Sequence, residues 1–139
     1  MRAKRCISKI IILMTVLMIC CTIQAKASNY TDTAFDFYFR SSTGGVSCTE
    51  RREKLDDTSV YMKCESTSYS YTARVYASPT MYGAYYDVSN DHTYVFNSGT
   101  VRKMINYVYE NGFKYAVIYA DRNYSYNYVA TGLWSPDSI

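Results

Sequence analysis

The sequence has little histidine, little charge and no long apolar run, and each shortage excludes a class of protein. One histidine in 139 residues excludes a metal site built from several imidazole ligands. Only 19% of the residues are charged and 48% are apolar, so the chain is not intrinsically disordered. The longest apolar stretch covers residues 10–23, which gives 14 residues against the roughly 20 that a membrane-spanning helix needs. We therefore predict a folded domain that neither holds a metal nor spans a membrane.

The first 27 residues are organised like a secretory signal peptide. Four basic side chains lie within residues 1–9, an apolar segment covers residues 10–21, and residues 25–27 (Ala-Lys-Ala) match a cleavage site of the A-x-A type. We predict that residues 1–27 are a signal peptide and that residues 28–139 form a single exported β-rich domain, because this length is enough for one domain and too short for two. The product is expected to be secreted or associated with the cell surface, without stable membrane insertion after cleavage.

Removal of the predicted signal peptide reverses the sign of the net charge. The whole chain has 15 basic and 12 acidic residues, a formal charge of +3. Five of the basic residues and none of the acidic residues lie in positions 1–27, so residues 28–139 carry ten basic and twelve acidic residues, a formal charge of −2. A nearly neutral domain exerts no long-range attraction on phosphates, and we therefore expect no nucleic-acid partner.

Two cysteines, Cys48 and Cys64, lie outside the predicted signal peptide. Two cysteines in an exported chain most often form a disulfide, and free thiols or a nucleophile are the alternatives. If residues 46–54 and 59–66 form a hairpin centred on Asp56, Cys48 faces Cys64 with the Cα atoms about 4.5–5.5 Å apart, a separation that a disulfide accepts. We therefore predict this hairpin and a Cys48–Cys64 disulfide.

Alternation of apolar and polar residues predicts short strands along the exported region. The clearest example places Phe35, Phe37 and Phe39 on one face of a strand that ends at the turn residues 41–45, where two glycines follow each other. Further strands are predicted over residues 46–54, 59–66, 68–77, 84–89, 93–96, 115–120 and 124–131. Seven or eight short strands at this spacing favour a mainly β fold, either a small antiparallel β-sandwich or a partly open barrel.

One segment has the spacing of a helix instead of a strand. Apolar residues recur there at positions i, i+3, i+4 and i+7, namely Val101, Met104, Ile105 and Val108. Gly112 follows at a position suited to end a helix. The three β-forming residues at 107–109 argue against a helix, but the spacing predicts one short helix over about residues 101–111.

The residues that could support catalysis have ordinary structural explanations. His92 follows Asp91 in a predicted turn, and no nucleophile-elbow pattern accompanies it. Glu50 and Glu53 alternate with basic residues as on a solvated strand, and the acidic pair at 56–57 is typical of a turn. Alternating acidic ligands with a glycine, as in a calcium loop, are missing from the sequence. We predict no catalytic residues, no metal ligands and no cofactor.

Tyrosine is the residue that the chain has in excess, with 17 copies that all lie after residue 29. In two predicted strands tyrosines recur at every second position, so they form a row on one side of the strand. Such a row is explained either by packing, since tyrosine favours strands, or by an exposed stacking surface for sugar rings or a protein partner. The candidate binding face comprises Tyr69, Tyr71, Tyr124, Tyr126, Tyr128 and Trp134.

Several short motifs resemble those of a known family. They are YTDTAF at residues 30–35, REK at 52–54 with SVY at 59–61, NYVYENG at 106–112, and GLWSPDS at 132–138. Together they resemble a family of small exported proteins of Gram-positive bacteria that contain a domain of unknown function. The resemblance implies a bacterial origin and supplies no catalytic residues.

These observations lead to two main hypotheses of function, and a third, a hydrolase, is disfavoured by the single histidine and the two cysteines of residues 28–139. The first is a secreted, non-catalytic β domain that binds a cell-surface polymer or protein through tyrosine-rich strand faces. The alternative is a secreted bacteriocin-like antimicrobial protein that acts on the envelope of competitors. Cell-wall binding by the purified protein supports the first hypothesis, and growth inhibition of related strains supports the second.

Overall fold

The computed structural model describes residues 28–139, so the predicted signal peptide lies outside the described residues. This part of the chain contains ten strands and one short 3-10 helix, Ser41–Thr43. The strands are β1 Thr33–Phe39, β2 Val46–Cys48, β3 Arg52–Glu53, β4 Val60–Thr67, β5 Tyr71–Ser78, β6 Tyr86–Asp87, β7 Tyr94–Phe96, β8 Val101–Met104, β9 Tyr115–Arg122 and β10 Tyr128–Ser135.

The strands form two antiparallel sheets. The first sheet has the order β1-β10-β4-β8, and the second has the order β2-β9-β5-β6, with β3 paired to β9 and β7 paired to β5. The sheets are not closed into a barrel and form a small β-sandwich. The predicted mainly β, antiparallel fold is therefore confirmed.

Strand β1 forms because its apolar residues alternate as the sequence predicts. Phe37 and Phe39 are fully buried and Phe35 is nearly so, while the residues between them are exposed. The glycine turn that ends this strand is also confirmed, since Gly44 and Gly45 have φ angles of 68° and 83°, in the left-handed region that glycine adopts without strain. These three phenylalanines form one side of the core.

The second sheet supplies the other side of the core through β5 and β9. Every second residue of β5, beginning at Tyr71, points inward and is buried. Tyr71 lies at the centre of the aromatic packing, with its ring centroid 5.3 Å from that of Phe39, 5.8 Å from that of Phe37 and 5.5 Å from that of Phe96. Contacts between aromatic rings therefore join the two sheets, in addition to the burial of aliphatic side chains.

Two connections cross from one sheet to the other at the same end of the sandwich. The connection 68–70 joins β4 of the first sheet to β5 of the second, and the connection 123–127 joins β9 of the second sheet to β10 of the first. They lie side by side because β5 pairs with β9, and β4 pairs with β10, at this end. This end of the sandwich holds the candidate site.

The predicted hairpin of residues 46–54 and 59–66 is wrong, and the Cys48–Cys64 disulfide is not formed. Strand β2 pairs with β9 in the second sheet, whereas β4 pairs with β10 and β8 in the first. Cys48 is therefore an exposed free thiol on one sheet, and Cys64 is a buried free thiol on the other. The prediction failed because sequence neighbours were assumed to pair, while both segments find partners more than 30 residues away.

The predicted helix over residues 101–111 is also wrong. Val101–Met104 is strand β8, which pairs with the edge of β4, and turns follow it. Met104 and Val108 are buried whereas Val101 and Ile105 are exposed, so the four apolar residues do not share a face.

The Asn106 side chain holds the turn that follows β8. It donates to Thr58 O at 3.2 Å and accepts from the Val108 N–H at 3.3 Å, and such local bonds compete with a helix. Within residues 28–139 no helix is long and apolar enough to cross a membrane.

A buried ion pair fixes the other end of the sandwich. The side chains of Lys54 and Asp137 are fully buried, and Lys54 Nζ lies 2.9 Å from Asp137 Oδ1. Asp137 also accepts from the backbone N–H groups of Asn29 at 2.6 Å and Leu55 at 3.2 Å. The ammonium of Lys54 donates in addition to the Pro136 carbonyl at 2.8 Å. Segments that are far apart in sequence are therefore held together by one satisfied polar network.

Candidate binding site

Four tyrosines come together where the two connections cross between the sheets. We call Tyr69, Tyr124, Tyr126 and Tyr128 the tyrosine cluster. Tyr69 is at its centre, with its ring centroid 5.3 Å from those of Tyr124 and Tyr126 and 5.4 Å from that of Tyr128. The rings of Tyr69 and Tyr126 are stacked at an interplanar angle of 21°. One residue of the 68–70 connection thus gathers three residues that lie in or beside the 123–127 connection.

The cluster presents three rings to solvent and anchors the fourth. The exposed fractions are 39% for Tyr69, 48% for Tyr124 and 62% for Tyr126, against 7% for Tyr128. Tyr128 packs on Phe39 in the core at a centroid distance of 4.7 Å and donates its hydroxyl to Ser70 O at 3.0 Å. The outer rings therefore rest on a buried base that belongs to the core.

Hydrogen bonds brace the 123–127 connection. The Arg122 guanidinium donates to the carbonyls of Ser125 at 3.1 Å and Tyr126 at 3.5 Å, and to Ser41 Oγ at 3.3 Å. The Arg122 side chain reaches these acceptors by passing directly over Gly45. A Cβ atom on residue 45 would lie 2.6 Å from the Cδ atom of Arg122, so only glycine leaves room for this side chain. The connection is thus held against the turn that follows β1.

A further hydrogen bond joins the two connections to each other. Asn123 Nδ2 donates to Ser70 Oγ at 3.2 Å. The tyrosine rings are therefore carried by connections that are tied to each other and to the sandwich, which limits the conformations that the rings adopt.

Two residues of the predicted binding face belong to the core instead. Tyr71 is fully buried between the sheets. Trp134 is 1% exposed, and the Arg52 guanidinium carbon lies 5.5 Å from the centroid of its ring. Tyr124 and Tyr126 do not form a row on a strand, because β10 begins at Tyr128. The structure thus brings four of the six predicted residues together, and it does so through connections at the sandwich end rather than along a strand face.

A groove that the sequence did not indicate adjoins the cluster. The β1–β10 groove has a volume of about 240 Å³ and is lined by Tyr38, Phe39, Arg40, Asn127, Tyr128 and Val129. It forms where β1 ends beside the start of β10, with Phe39 opposite Tyr128 in the register. Only the pairing of these two distant strands reveals it, so no local sequence signal marks it.

A family model with the description "Protein of unknown function (DUF2712)" matches residues 23–138. The chain belongs to the DUF2712 family. The predicted resemblance to a family whose domain has no assigned function is confirmed to that extent, and the Gram-positive origin and the export stay predictions. No curated protein and no solved structure matches the chain.

The side chains that could hold a metal or act as a nucleophile are dispersed in the described part of this DUF2712 chain. Within residues 28–139 no three His, Cys, Asp or Glu side chains are close enough to hold a metal ion together. His92 is exposed in a turn, where its backbone N–H donates to the Ser89 carbonyl at 3.0 Å. Burial raises the pKa of the Cys64 thiol, which keeps it protonated and therefore a weak nucleophile at neutral pH. None of these groups lies in the tyrosine cluster.

The burial of Tyr71 predicts that the folding stability of this DUF2712 chain falls at alkaline pH. Its buried hydroxyl has no hydrogen-bond partner of good geometry, and burial together with the neighbouring Cys64 thiol raises the pKa of Tyr71. The folded state therefore holds the phenolic proton more tightly than the unfolded state, whose tyrosine has a pKa of about 10. The part of the folding free energy that comes from this difference in the pKa of Tyr71 is fully present below about pH 10. It is lost as the pH rises above that value.

We expect Tyr71→Phe to weaken this pH dependence. At pH 7 the variant should match the wild type or exceed its free energy of unfolding by up to about 1 kcal/mol, because an unpartnered hydroxyl is removed. Between pH 9 and pH 11 it should lose less stability than the wild type, as measured by urea unfolding. Tyr82→Phe, at a side chain that is 94% exposed, is the control and should follow the wild type. Equal losses for Tyr71→Phe and the wild type would contradict the prediction.

Proposed function

We propose that this protein is a secreted, non-catalytic binding domain whose tyrosine cluster binds a cell-surface polymer. The observation that carries the proposal is the stacking of the exposed Tyr69 and Tyr126 rings 5.3 Å apart, with Tyr124 at the same distance from Tyr69. Exposed aromatic rings in contact form an apolar surface that still carries polar hydroxyl groups at its rim. Such a surface is common at interaction sites and needs a partner to complete its burial.

A polymer of sugar rings matches the chemistry of this surface. The C–H faces of a sugar ring stack on an aromatic ring, and its hydroxyl groups need hydrogen-bond partners at the edge of the contact. The two connections supply such partners next to the rings, since residues 123, 125 and 127 are Asn, Ser and Asn and residue 70 is Ser. A few polar groups placed around an apolar surface are what fixes the orientation of a bound ligand.

The bracing of the connections supports binding for a second reason. A flexible loop loses conformational freedom when it binds, and that loss subtracts from the affinity. Here the Arg122 bonds to Ser125 O and Tyr126 O and the Asn123 bond to Ser70 Oγ hold the rings in place beforehand. Little of the weak stacking energy is then lost on binding, and a polymer offers the same contact at each of its sugar units.

We expect Tyr126→Ala to weaken binding to isolated bacterial cell walls about tenfold, since aromatic stacking contributes roughly 1–3 kcal/mol per ring. Sedimentation of the purified mature domain with the walls gives the dissociation constants. Tyr82→Ala is the matched control, because this side chain is 94% exposed in the β5–β6 connection, at the other end of β5 from the cluster. It should bind like the wild type.

The same variants separate this proposal from the bacteriocin-like alternative. Equal binding by the wild type and Tyr126→Ala, or no binding of the wild type to walls, would reject the tyrosine cluster as a polymer site. Inhibition of the growth of related strains by the wild-type protein, without wall binding, would favour the antimicrobial function instead.

A further inference from the structure

We propose that the polymer bound by the tyrosine cluster is anionic and that Arg40, in the β1–β10 groove, binds its carboxylate or phosphate groups. The inference rests on the proposed function, which it narrows to one class of polymer. It comes from three features of the groove: an arginine side chain that donates no hydrogen bond within residues 28–139, an amide beside it whose NH₂ group donates none there either, and the position of both next to the tyrosine rings.

Within residues 28–139, Arg40 is the arginine whose side-chain N–H groups are left for a ligand. Within residues 28–139 the other arginines each donate at least one hydrogen bond to a protein acceptor, as Arg122 does to three. The Arg40 side chain donates none in this part of the chain, and its guanidinium lies over the Tyr38 ring at 5.4 Å from the centroid. A cation–π contact of this kind restricts the position of the guanidinium while leaving its N–H groups free.

Asn127 supplies a second donor at the same place. Its Oδ1 atom accepts from the Ser41 N–H at 3.0 Å, which fixes the orientation of the carboxamide. With the oxygen turned to Ser41, the NH₂ group of Asn127 has no protein acceptor within residues 28–139 and can donate to a ligand. Arg40 comes directly after Phe39, the last residue of β1, and Asn127 comes directly before Tyr128, the first residue of β10. Because Phe39 and Tyr128 are partners in the register, the two donors lie close to each other at the mouth of the groove.

The groove and the tyrosine cluster are continuous. Asn127 is the next residue after Tyr126, and Tyr128 belongs to both the groove lining and the cluster. None of the six residues that line the groove is acidic, so an anion there meets a guanidinium and an amide without a carboxylate in the lining. A polymer whose ring stacks on Tyr126 can therefore place an acidic substituent against Arg40, where charge-assisted hydrogen bonds are stronger than neutral ones.

The test uses the purified mature domain and four preparations of isolated bacterial cell walls. The first is untreated, the second is stripped of phosphate-linked polymers with hydrofluoric acid, the third has its carboxylates amidated, and the fourth has received both treatments. At low salt we expect the wild type to bind untreated walls roughly five- to tenfold more tightly than doubly treated walls, and added salt to reduce this difference. The single treatment that weakens binding identifies the anion as phosphate or carboxylate.

Arg40→Gln should bind untreated walls with the affinity that the wild type has for doubly treated walls. Arg102→Gln, which removes the same charge from the exposed edge strand β8, should bind like the wild type. Equal binding of the wild type to all four preparations, or wild-type affinity of Arg40→Gln for untreated walls, would overturn the inference. If Tyr126→Ala still weakened binding in that case, the proposed function would stand, whereas a wild type that binds none of the preparations would overturn both.

Discussion

Replacement of Asp137 by alanine is expected to lower the free energy of unfolding by about 3–5 kcal/mol, because it leaves a buried ammonium without its counter-ion. Lys54 is fully buried, and Asp137 Oδ1 lies 2.9 Å from its Nζ atom. The same substitution removes the acceptor of the Asn29 and Leu55 N–H groups. Urea unfolding at neutral pH measures the change.

An exposed ion pair provides the control for this prediction. Lys63 and Glu65 are 3.1 Å apart with side chains that are 40% and 47% exposed, so Glu65→Ala should cost less than about 1 kcal/mol. The double variant Lys54→Met/Asp137→Leu should recover most of the loss, since apolar side chains can replace a buried pair. A loss below about 1 kcal/mol for Asp137→Ala would show that the pair does not hold the fold together.

The second large effect is expected for Gly132→Ala, which should lower the free energy of unfolding by about 3 kcal/mol. Gly132 lies in β10 at an irregularity of its pairing with β4. A Cβ atom there would collide with the backbone carbonyl of Lys63 and would lie 2.8 Å from the Phe35 ring. Because a backbone carbonyl cannot rotate away as a side chain does, β4 and β10 must separate.

Gly99→Ala is the matched control for this substitution. Gly99 also lies in the β-rich part of the chain, but a Cβ atom there has nothing within 4 Å. Its φ of 83° makes alanine strained, so a loss of about 1 kcal/mol is expected from the backbone alone. If Gly132→Ala cost no more than Gly99→Ala in the same unfolding experiment, the close approach of β4 and β10 would be wrong.

The sequence predicted the strands whose pattern is local. In β1 the alternation of Phe35, Phe37 and Phe39 fixes the buried face without knowledge of the partner strand, and the structure confirms it. Strand partners could not be predicted in the same way. Cys48 pairs with Tyr119 and Cys64 with Gly132, choices that depend on the packing of the whole sandwich and that no short-range pattern encodes.

The tyrosine cluster could also be predicted only in part. The spacing of Tyr124, Tyr126 and Tyr128 correctly grouped these residues, because short segments keep their members close in any fold. Burial could not be predicted, since tyrosine packs in a core and at a surface equally well. Tyr69 and Tyr71 are separated by one residue, yet Tyr69 is 39% exposed and Tyr71 is fully buried, because β5 begins at Tyr71. Arg40 was missed because nothing near it in sequence marks a groove.

The pairing of β1 with β10 also determines when this domain can fold. Strand β1 is the earliest strand of the described chain, and its main-chain partner is the latest, with Thr33 opposite Trp134. During synthesis the three phenylalanines of β1 emerge long before that partner exists, so they cannot reach their native burial until β10 is complete. Contacts between such distant residues slow folding to milliseconds or longer. The newly made polypeptide is therefore a candidate for chaperone binding, which would shield β1 from other chains in the interval.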